Sequence, residues 1–220
     1  MNKLEVKNLS HSYQDGMKKK KVLNDINVNF ESGNFYAILG ESGSGKTTFL
    51  SILSGLLKIE NGDLIYNDKS IKEIGYNNYR LKMVNIIFQN YNLISYMTAV
   101  ENVETLMDIR KVKVKNKKEE AYKLLRKVGI NKETADRNVN LLSGGESQRV
   151  AIARSLASDI PILVADEPTG NLDNENEENI IKLFKKLAKD GKIVIVVTHS
   201  SKVANNADFV YKIKEGGIVK

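Results

Sequence analysis

Three glycines, a lysine and two threonines follow a short apolar run in a pattern that suits phosphate binding. The run Phe35 to Leu39 has the composition of a buried strand, and Gly40-Glu41-Ser42-Gly43-Ser44-Gly45-Lys46-Thr47-Thr48 follows it directly. Glycines let the backbone curl so that successive N–H groups face phosphate oxygens, and the helix expected after Gly45 adds its positive end. We expect Lys46 to reach the β- and γ-phosphates and the Thr47 hydroxyl to bind Mg²⁺. The alternative is a chance glycine turn before a helix.

Two carboxylates end a second apolar run. Ile162 to Ala165 is typical of a central parallel strand, and Asp166-Glu167 follows it. Acids at the end of a buried strand are costly unless they hold a cation or a proton. Beside a phosphate loop, Asp166 is expected to orient Mg²⁺ and Glu167 to poise a water against the γ-phosphate. The alternative is a solvated strand end.

Composition limits the class of protein. The 220 residues suit one domain, and 41% hydrophobic with 28% charged residues is ordinary for a globular protein. No apolar run approaches the ~20 residues that span a bilayer, and no signal peptide opens the chain, so we expect a cytosolic location. The absence of cysteine excludes disulfides and thiolate metal sites. The net charge of +7 favours an anionic partner, which nucleotide, membrane surface and nucleic acid all satisfy.

The order of predicted elements indicates an α/β fold with two kinds of sheet. Strands at Leu4–Leu9 and around Val22–Phe30 precede the phosphate loop without a crossover helix, which favours an antiparallel layer. From the phosphate loop onward, strands alternate with amphipathic helices, which implies a parallel core. A hairpin is expected to close the chain after residue 209.

The motifs together resemble those of a known family. GESGSGKT at Gly40 to Thr47, LSGGE at Leu142 to Glu146 and ILVADEP at Ile162 to Pro168 occur in the order found in ABC-transporter nucleotide-binding domains. The LSGG segment is the most diagnostic of the three. The resemblance covers essentially the whole chain, 1–220, as a single domain. It implies a P-loop NTPase fold with a parallel-sheet core, an antiparallel β-subdomain and an inserted α-helical subdomain at about 90–158.

The resemblance also implies ATP as the substrate and gives roles to single residues. Gln89 matches the glutamine that senses Mg²⁺ and water, and His199 matches the histidine that donates to the γ-phosphate, so both join Lys46 and Glu167 as catalytic candidates. Tyr13 matches the aromatic residue that stacks on adenine. The alternatives are a polar strand cap for Gln89, a structural role for His199 and an ordinary tyrosine at position 13.

In the family, the signature segment binds the nucleotide of a second copy of the chain. Ser143, Gly144 and Gly145 would offer backbone N–H groups and a hydroxyl to that γ-phosphate, while Ser143 also caps the helix. Asp173 would tie the two active sites of the homodimer together. The commonest signature ends in glutamine, whereas this chain has Glu146. The resemblance leaves open whether Glu146 repels or orients the partner's nucleotide.

The stretch EPTGNLD at Glu167 to Asp173 looks most like the MacB- and LolD-type branch. Members of that branch drive export, lipoprotein release or mechanotransmission across an envelope, and their permease is often a separate chain. The resemblance therefore implies a transmembrane permease partner, a place at the cytoplasmic face of the membrane and, as an open alternative, a periplasmic or extracellular adaptor. The cargo and the direction of transport are not specified.

Two lysine runs stand apart from these motifs. Lys18 to Lys21 is interpreted as a solvated loop between two strands, and Lys111 to Lys118 as a solvated face of the helical subdomain. Contact with phosphate or lipid is the alternative for both. Neither run is interleaved with aromatic residues, so no nucleic-acid partner is expected.

Two rival functions have distinct signatures. A soluble ABC ATPase acting on DNA or ribosomes usually carries a long coiled coil between the motifs or two cassettes, and this chain has one cassette without sustained heptads. A regulatory binding module without turnover would not need Glu167 and His199, and both are present.

Overall fold

The computed structural model describes residues 1–16 and 18–219. The strands are β1 Lys3–Asp15, β2 Lys18–Glu31, β3 Phe35–Gly40, β4 Asn61–Tyr66, β5 Lys69–Ser70, β6 Val84–Ile87, β7 Ile162–Asp166, β8 Ile193–Val197, β9 Phe209–Lys214 and β10 Gly217–Val219. The helices are α1 Lys46–Leu53, α2 Ile71–Ile74, α3 Tyr76–Lys82, α4 Ala99–Ile109, α5 Lys117–Lys127, α6 Lys132–Ala135, α7 Gly144–Ser155, α8 Asn174–Lys189 and α9 Ser201–Asn206, with a 3₁₀ turn at Val139–Leu141.

The core sheet has the strand order β10-β9-β3-β8-β7-β6 within the described residues. The pairs from β9 to β6 are all parallel, and only β10 runs antiparallel, as the second arm of the predicted closing hairpin. Both faces of the parallel strands are buried, so β8 reads Ile193-Val194-Ile195-Val196-Val197 without a polar residue. The predicted parallel core is thus confirmed.

Alternate residues of the core strands enter two separate hydrophobic cores. Val194 and Val196 pack with α4, α5, α7 and α8 on one face of the sheet. Ile193, Ile195 and Val197 pack on the other face with α1 and with a second sheet of order β2-β1-β4-β5. The pairs in this second sheet are antiparallel, as the early strands predicted. Helices α4 to α7 fall within 90–158, the range of the predicted helical subdomain, whose boundaries stay a prediction.

The prediction for the first lysine run was wrong in its local structure. Strand β1 continues to Asp15 and β2 begins at Lys18, so Lys18 to Lys21 lie in a strand rather than a loop. Cross-strand pairing holds them there, and Tyr13 lies opposite Lys20 in the register. All four lysines are exposed, in agreement with the solvated interpretation. Burial alternates with a period of two residues only from Ile26 onward, which is why the strand pattern at the lysines was missed.

The second lysine run ends inside a helix. Helix α5 begins at Lys117, because the Asn116 side chain accepts a hydrogen bond from the Glu119 N–H and caps the helix. Lys117 forms an ion pair with Asp108. Throughout 1–16 and 18–219, no helix combines the length and the apolar character that crossing a membrane requires.

Candidate active site

The carboxyl ends of four parallel strands meet at one edge of the core sheet and surround a cleft of about 600 Å³. Strand β3 leads into the glycine loop, β6 leads to Gln89, β7 ends at Asp166 and β8 leads to His199. The lining residues are Tyr13, Val22, Ser42, Gly43, Gly45, Lys46, Thr47, Thr48, Gln89, Asp166, Glu167, Gly170, Asn171 and His199. The fold therefore brings most of the sequence-predicted site residues together.

The glycine loop leaves the first turn of α1 open toward the cleft. Gly45 precedes α1 with φ of 104°, and a Cβ there would lie 2.8 Å from the Val22 carbonyl oxygen, so both conformation and space require glycine. Within the described residues, no side chain caps α1 and no acid occupies its first turn. The first N–H groups of the helix are thus available to an anion.

Lys46 lies at the base of this loop. Its side chain is buried, and Nζ donates to the carbonyl oxygens of Gly40 at 2.7 Å and Glu41 at 2.8 Å. The predicted loop residues Gly40, Glu41 and Ser44 frame the loop but are not among the described residues that line the cleft. Ser44 instead closes the turn, with its N–H donating to the Glu41 carbonyl at 3.2 Å.

Asp166, at the end of β7, and Glu167, directly after it, line the cleft together with the loop. Burial and the neighbouring Glu167 carboxylate raise the pKa of Asp166, and Lys46 and then His199 act against that rise. A bound cation would favour the ionised form of Asp166 in the same way as Lys46 does, because an opposite charge stabilises a carboxylate.

Glu167 is held in place by the residues that follow β8. Its Oε2 accepts hydrogen bonds from the Thr198 hydroxyl and from the His199 N–H, both at 3.2 Å. Its Oε1 lies 3.4 Å from His199 Nε2, and no described residue gives this buried oxygen a hydrogen bond. The φ of Glu167 is 45°, a strained value for this residue type. One carboxylate oxygen is thus anchored, and the other is left to act on a further group.

The donor set in the cleft fits a magnesium ion held together with phosphates. Thr47, Gln89 and Asp166 line the same cleft, and Thr47 and Gln89 are exposed into it. In the described part of the chain, no cluster of three or more His, Cys, Asp or Glu residues could hold a metal. Magnesium is typically held by one or two protein oxygens plus substrate phosphates and waters, which matches this sparse hydroxyl, amide and carboxylate set.

Tyr13 also lines this cleft. The residue is 44% exposed, its ring packs against His11 in a T-shaped arrangement with 4.7 Å between ring centroids, and its hydroxyl lies 3.3 Å from Thr48 Oγ1. A partly exposed aromatic ring that is held by two neighbours is suited to stacking on a planar ligand.

The signature residues lie away from this cleft. Ser143, Gly144 and Gly145 begin helix α7 and are not among the described residues that line the cleft. Ser143 Oγ accepts from the Glu146 N–H at 3.2 Å, and Glu146 Oε2 accepts from the Ser143 N–H at 2.8 Å. This reciprocal pair is a capping box. The Ser143 N–H lowers the pKa of Glu146, so the departure from glutamine has a local role in this helix.

Asp173 also lies outside the cleft and caps a helix. Its carboxylate accepts from the Asn176 N–H at 2.8 Å at the start of α8, and this bond lowers the pKa of Asp173. The structure adds four contributors that motif matching alone did not single out, namely Val22, Gly170, Asn171 and Thr198. The sequence signal for Asn171 and Thr198 was their position inside the matched NLD and VTH segments.

Comparison with known proteins agrees with the motifs. The family model described as ABC transporter matches residues 23–170. The ABC transporter ATP-binding protein YclH of Bacillus subtilis, named as uncharacterized, is 44% identical over 98% of this chain and 95% of its own length. The macrolide export ATP-binding/permease protein MacB of Aggregatibacter actinomycetemcomitans is 36% identical over the whole chain, which covers 34% of that protein.

Two solved structures of the cassette MJ0796, a protein of Methanocaldococcus jannaschii, superpose over 99% of this chain and 97% of theirs with a TM-score of 0.93. One is described as dimeric, at 34% identity, and the other as a post-hydrolysis state bound to ADP and Pi, at 33%. These matches confirm the predicted fold class and family. The chain belongs to the ABC transporter family and is an ATP-binding, ATP-hydrolysing domain of it.

Proposed function

We propose that the chain hydrolyses magnesium-bound ATP between two copies of itself and thereby powers a separate transmembrane permease. The observation that carries this proposal is the cleft in which Lys46 and the open N-terminus of α1 face Asp166, Glu167 and His199. Phosphate-binding groups lie on one side and a carboxylate with a free oxygen lies on the other. Such a cleft suits attack by water on a terminal phosphate.

ATP would lie along the cleft with its base on Tyr13 and its phosphates in the glycine loop. The open N–H groups at the start of α1 and the Lys46 ammonium bind the phosphate oxygens through charge-assisted hydrogen bonds. Thr47, Gln89 and Asp166 would hold the Mg²⁺ ion. When bound, the ion neutralises phosphate charge that develops during the reaction.

Glu167 acts as the general base toward a water molecule beside the γ-phosphate. The water oxygen bonds to the γ-phosphorus, its proton passes to the carboxylate, and the bond from the γ-phosphorus to the bridging oxygen breaks to release ADP. The Thr198 hydroxyl and the His199 N–H hold the other carboxylate oxygen. The His199 imidazole, 58% exposed at the cleft, donates to the γ-phosphate.

The signature residues act on the nucleotide of the second copy. Ser143, Gly144 and Gly145 begin a helix whose N-terminus can bind an anion, yet they do not line the cleft among the described residues. A head-to-tail homodimer brings this helix to the partner's γ-phosphate, with Asp173 between the two sites. The description of the MJ0796 structure as dimeric supports the formation of a dimer.

The replacement Glu167→Gln tests the catalytic proposal. It keeps the size of the side chain and removes the base, so turnover should fall by at least about a hundredfold while ATP binding persists and a dimer accumulates. Phosphate release measures turnover, and size-exclusion chromatography with ATP and Mg²⁺ measures the dimer. The control is Glu133→Gln, an exposed acid in α6, with wild-type turnover expected. Equal turnover in Glu167→Gln and wild type would remove Glu167 from the base role.

The permease partner is supported by a groove on the outer surface. About 580 Å³ in volume, it lies between α3, β6 and α4, and three of its lining residues are large exposed apolar side chains, namely Leu56, Leu81 and Ile109. This chain covers only 34% of the length of MacB, and the name of MacB includes a permease. We propose that a cytoplasmic helix of the permease fills the groove, which would hold the chain at the cytoplasmic face of the membrane in an export or mechanotransmission system. A periplasmic or extracellular adaptor belongs to the same proposal.

Co-purification from membranes tests this partner. A protein with membrane-spanning helices should accompany the chain, and Ile109→Asp should abolish that association because a charge would enter the apolar groove. Val114→Asp, another exposed apolar position outside the groove, is the matched control. Equal recovery with both variants would contradict docking in the groove.

A further inference from the structure

Tyr91, two residues beyond Gln89, is held in an unusual backbone conformation. Tyr91 and the following Asn92 have φ values of 59° and 49°, two consecutive left-handed residues that are not glycine. Such residues are unfavourable unless their surroundings hold them in place. The segment after Gln89 is therefore built to one shape by contacts from elsewhere in the fold.

Arg154 in the last turn of α7 supplies those contacts. One guanidinium nitrogen donates to the Tyr91 carbonyl at 2.7 Å and the other to the Asn92 carbonyl at 2.6 Å. Burial lowers the pKa of Arg154, which indicates that these carbonyls replace much of its water shell. The planar fork of arginine fits two adjacent carbonyls, so α7 clamps the backbone of this segment.

The Tyr91 side chain reaches two further segments of the active-site region. Its hydroxyl accepts a hydrogen bond from Asn171 Nδ2 at 2.8 Å, and Asn171 lines the nucleotide cleft. A Cβ placed on Gly144 would lie only 3.1 Å from the same hydroxyl, so the hydroxyl rests against the first turn of α7. Tyr91 thus contacts Asn171 and both ends of α7, at Gly144 and at Arg154. These contacts also fix the segment that contains Gln89, two residues earlier in the chain.

We infer that Tyr91 is a positioning residue that fixes Gln89 relative to Asn171 and to the signature end of α7. Tyr91 does not line the nucleotide cleft within the described residues, so it acts through these neighbours rather than on ATP. A change at Gln89 is thereby transmitted to the signature turn and to the segment that carries Asp173. The inference rests on the proposed function, because it assumes that Gln89 and the signature turn both act on ATP.

A double-mutant cycle on Tyr91→Phe and Asn171→Ala tests the inference. Tyr91→Phe removes one oxygen and hence the hydrogen bond, so kcat for ATP should fall about three- to tenfold while KM stays within about twofold. The double variant should have a kcat no lower than the worse single variant, because both substitutions remove the same bond. A melting temperature close to that of the wild type separates this effect from a loss of folding.

Tyr96→Phe is the matched control, since Tyr96 follows Gln89 in the same connection and is 79% exposed. It should keep wild-type kcat. A wild-type kcat for Tyr91→Phe, a raised KM with unchanged kcat, or effects that multiply in the double variant would each overturn the inference. If Tyr91→Phe does not fold, Asn171→Ala removes the same hydrogen bond by changing its exposed partner. A wild-type kcat for Asn171→Ala would then overturn the inference.

The inference can fail independently of the proposed function. A large loss of turnover in Glu167→Gln together with wild-type behaviour of Tyr91→Phe would reject Tyr91 alone. Full turnover in Glu167→Gln would reject the catalytic proposal, whatever Tyr91→Phe does.

Discussion

Two glycine-rich helix N-termini, those of α1 and α7, are both proposed to bind phosphate, yet they are built differently. The α1 end begins after Gly45, has no side-chain cap or first-turn acid in the described residues, and has a lysine as its first residue. The α7 end is closed by the reciprocal capping box of Ser143 and Glu146. The first therefore offers unpaired donors and a positive charge, whereas the second satisfies part of its donors internally and adds a carboxylate.

This difference indicates a strong and a conditional anion site. At α1, phosphate would satisfy N–H groups that no described side chain satisfies, and the Lys46 ammonium adds to the attraction. At α7, the Ser143 hydroxyl and the Glu146 N–H already bond each other, and the carboxylate opposes an anion nearby. A conditional second site suits a dimer that must open again after hydrolysis.

The replacement Lys46→Ala should give the largest effect on the comparison. It removes the charged donor from the α1 site, so ATP affinity should fall about a hundredfold, the order of one strong charge-assisted hydrogen bond. Isothermal titration with ATP and Mg²⁺ measures the affinity. Lys58→Ala, an exposed lysine just beyond α1, should bind ATP like the wild type. An affinity for Lys46→Ala within threefold of wild type would make the two helix ends equivalent.

Replacing the glycine at each helix end by alanine should lower the free energy of unfolding by different amounts. Gly45→Ala meets both a positive φ and a contact of 2.8 Å, and should lower the free energy of unfolding by about 2–4 kcal/mol. Gly144→Ala meets only one side-chain atom, the Tyr91 hydroxyl at 3.1 Å, which must shift by a few tenths of an ångström, so this variant should change the free energy of unfolding by less than about 1 kcal/mol. Denaturant unfolding measures both.

Gly33→Ala is the control for backbone strain alone, since it has φ of +94° with nothing within 4 Å of the added carbon. A loss of about 1 kcal/mol is expected for it. If Gly45→Ala lowers the free energy of unfolding no more than Gly33→Ala does, the close contact at Gly45 does not contribute to stability.

The smallest effect is expected for Glu146→Gln. Glutamine can still complete the capping box, so only the attraction between the carboxylate and the helix dipole is lost, about 0.3–1 kcal/mol at neutral pH. The folded state lowers the pKa of Glu146 below its ordinary 4.5. Its charge therefore stabilises the fold above that pH, and the benefit is lost as the pH falls through the lowered pKa.

Unfolding of Glu146→Gln and wild type at pH 7 and pH 3 measures this difference. The two proteins should differ at pH 7, and the difference should shrink at pH 3. Ser143→Ala sets the scale, with an expected loss of about 1 kcal/mol from the removed cap. A difference that grows toward low pH would have the wrong sign for the capping role.

Sequence patterns were most informative where a motif is also a local structure. The spacing from Gly40 to Thr47 predicts the loop, and φ of 104° at Gly45 explains why glycine stands there. The Ser-x-x-Glu pattern at Ser143 and Glu146 was equally visible as a capping box, although the family comparison drew attention to the missing glutamine instead. Lys18 to Lys21 were not recognised as part of a strand because a run of lysines has no alternating apolar residues. Only their pairing with β1 makes them a strand.

The amino-acid sequence by itself therefore determines the phosphate loop, the acids that line the cleft with it and the family, because each depends on residues within one short segment. Folding decides which distant residues complete them. Asn171 meets Tyr91 across 80 residues, and Thr198 meets Glu167 across 31. Such pairs depend on how parallel strands and helices stack, and that packing is a property of the whole core rather than of any local stretch.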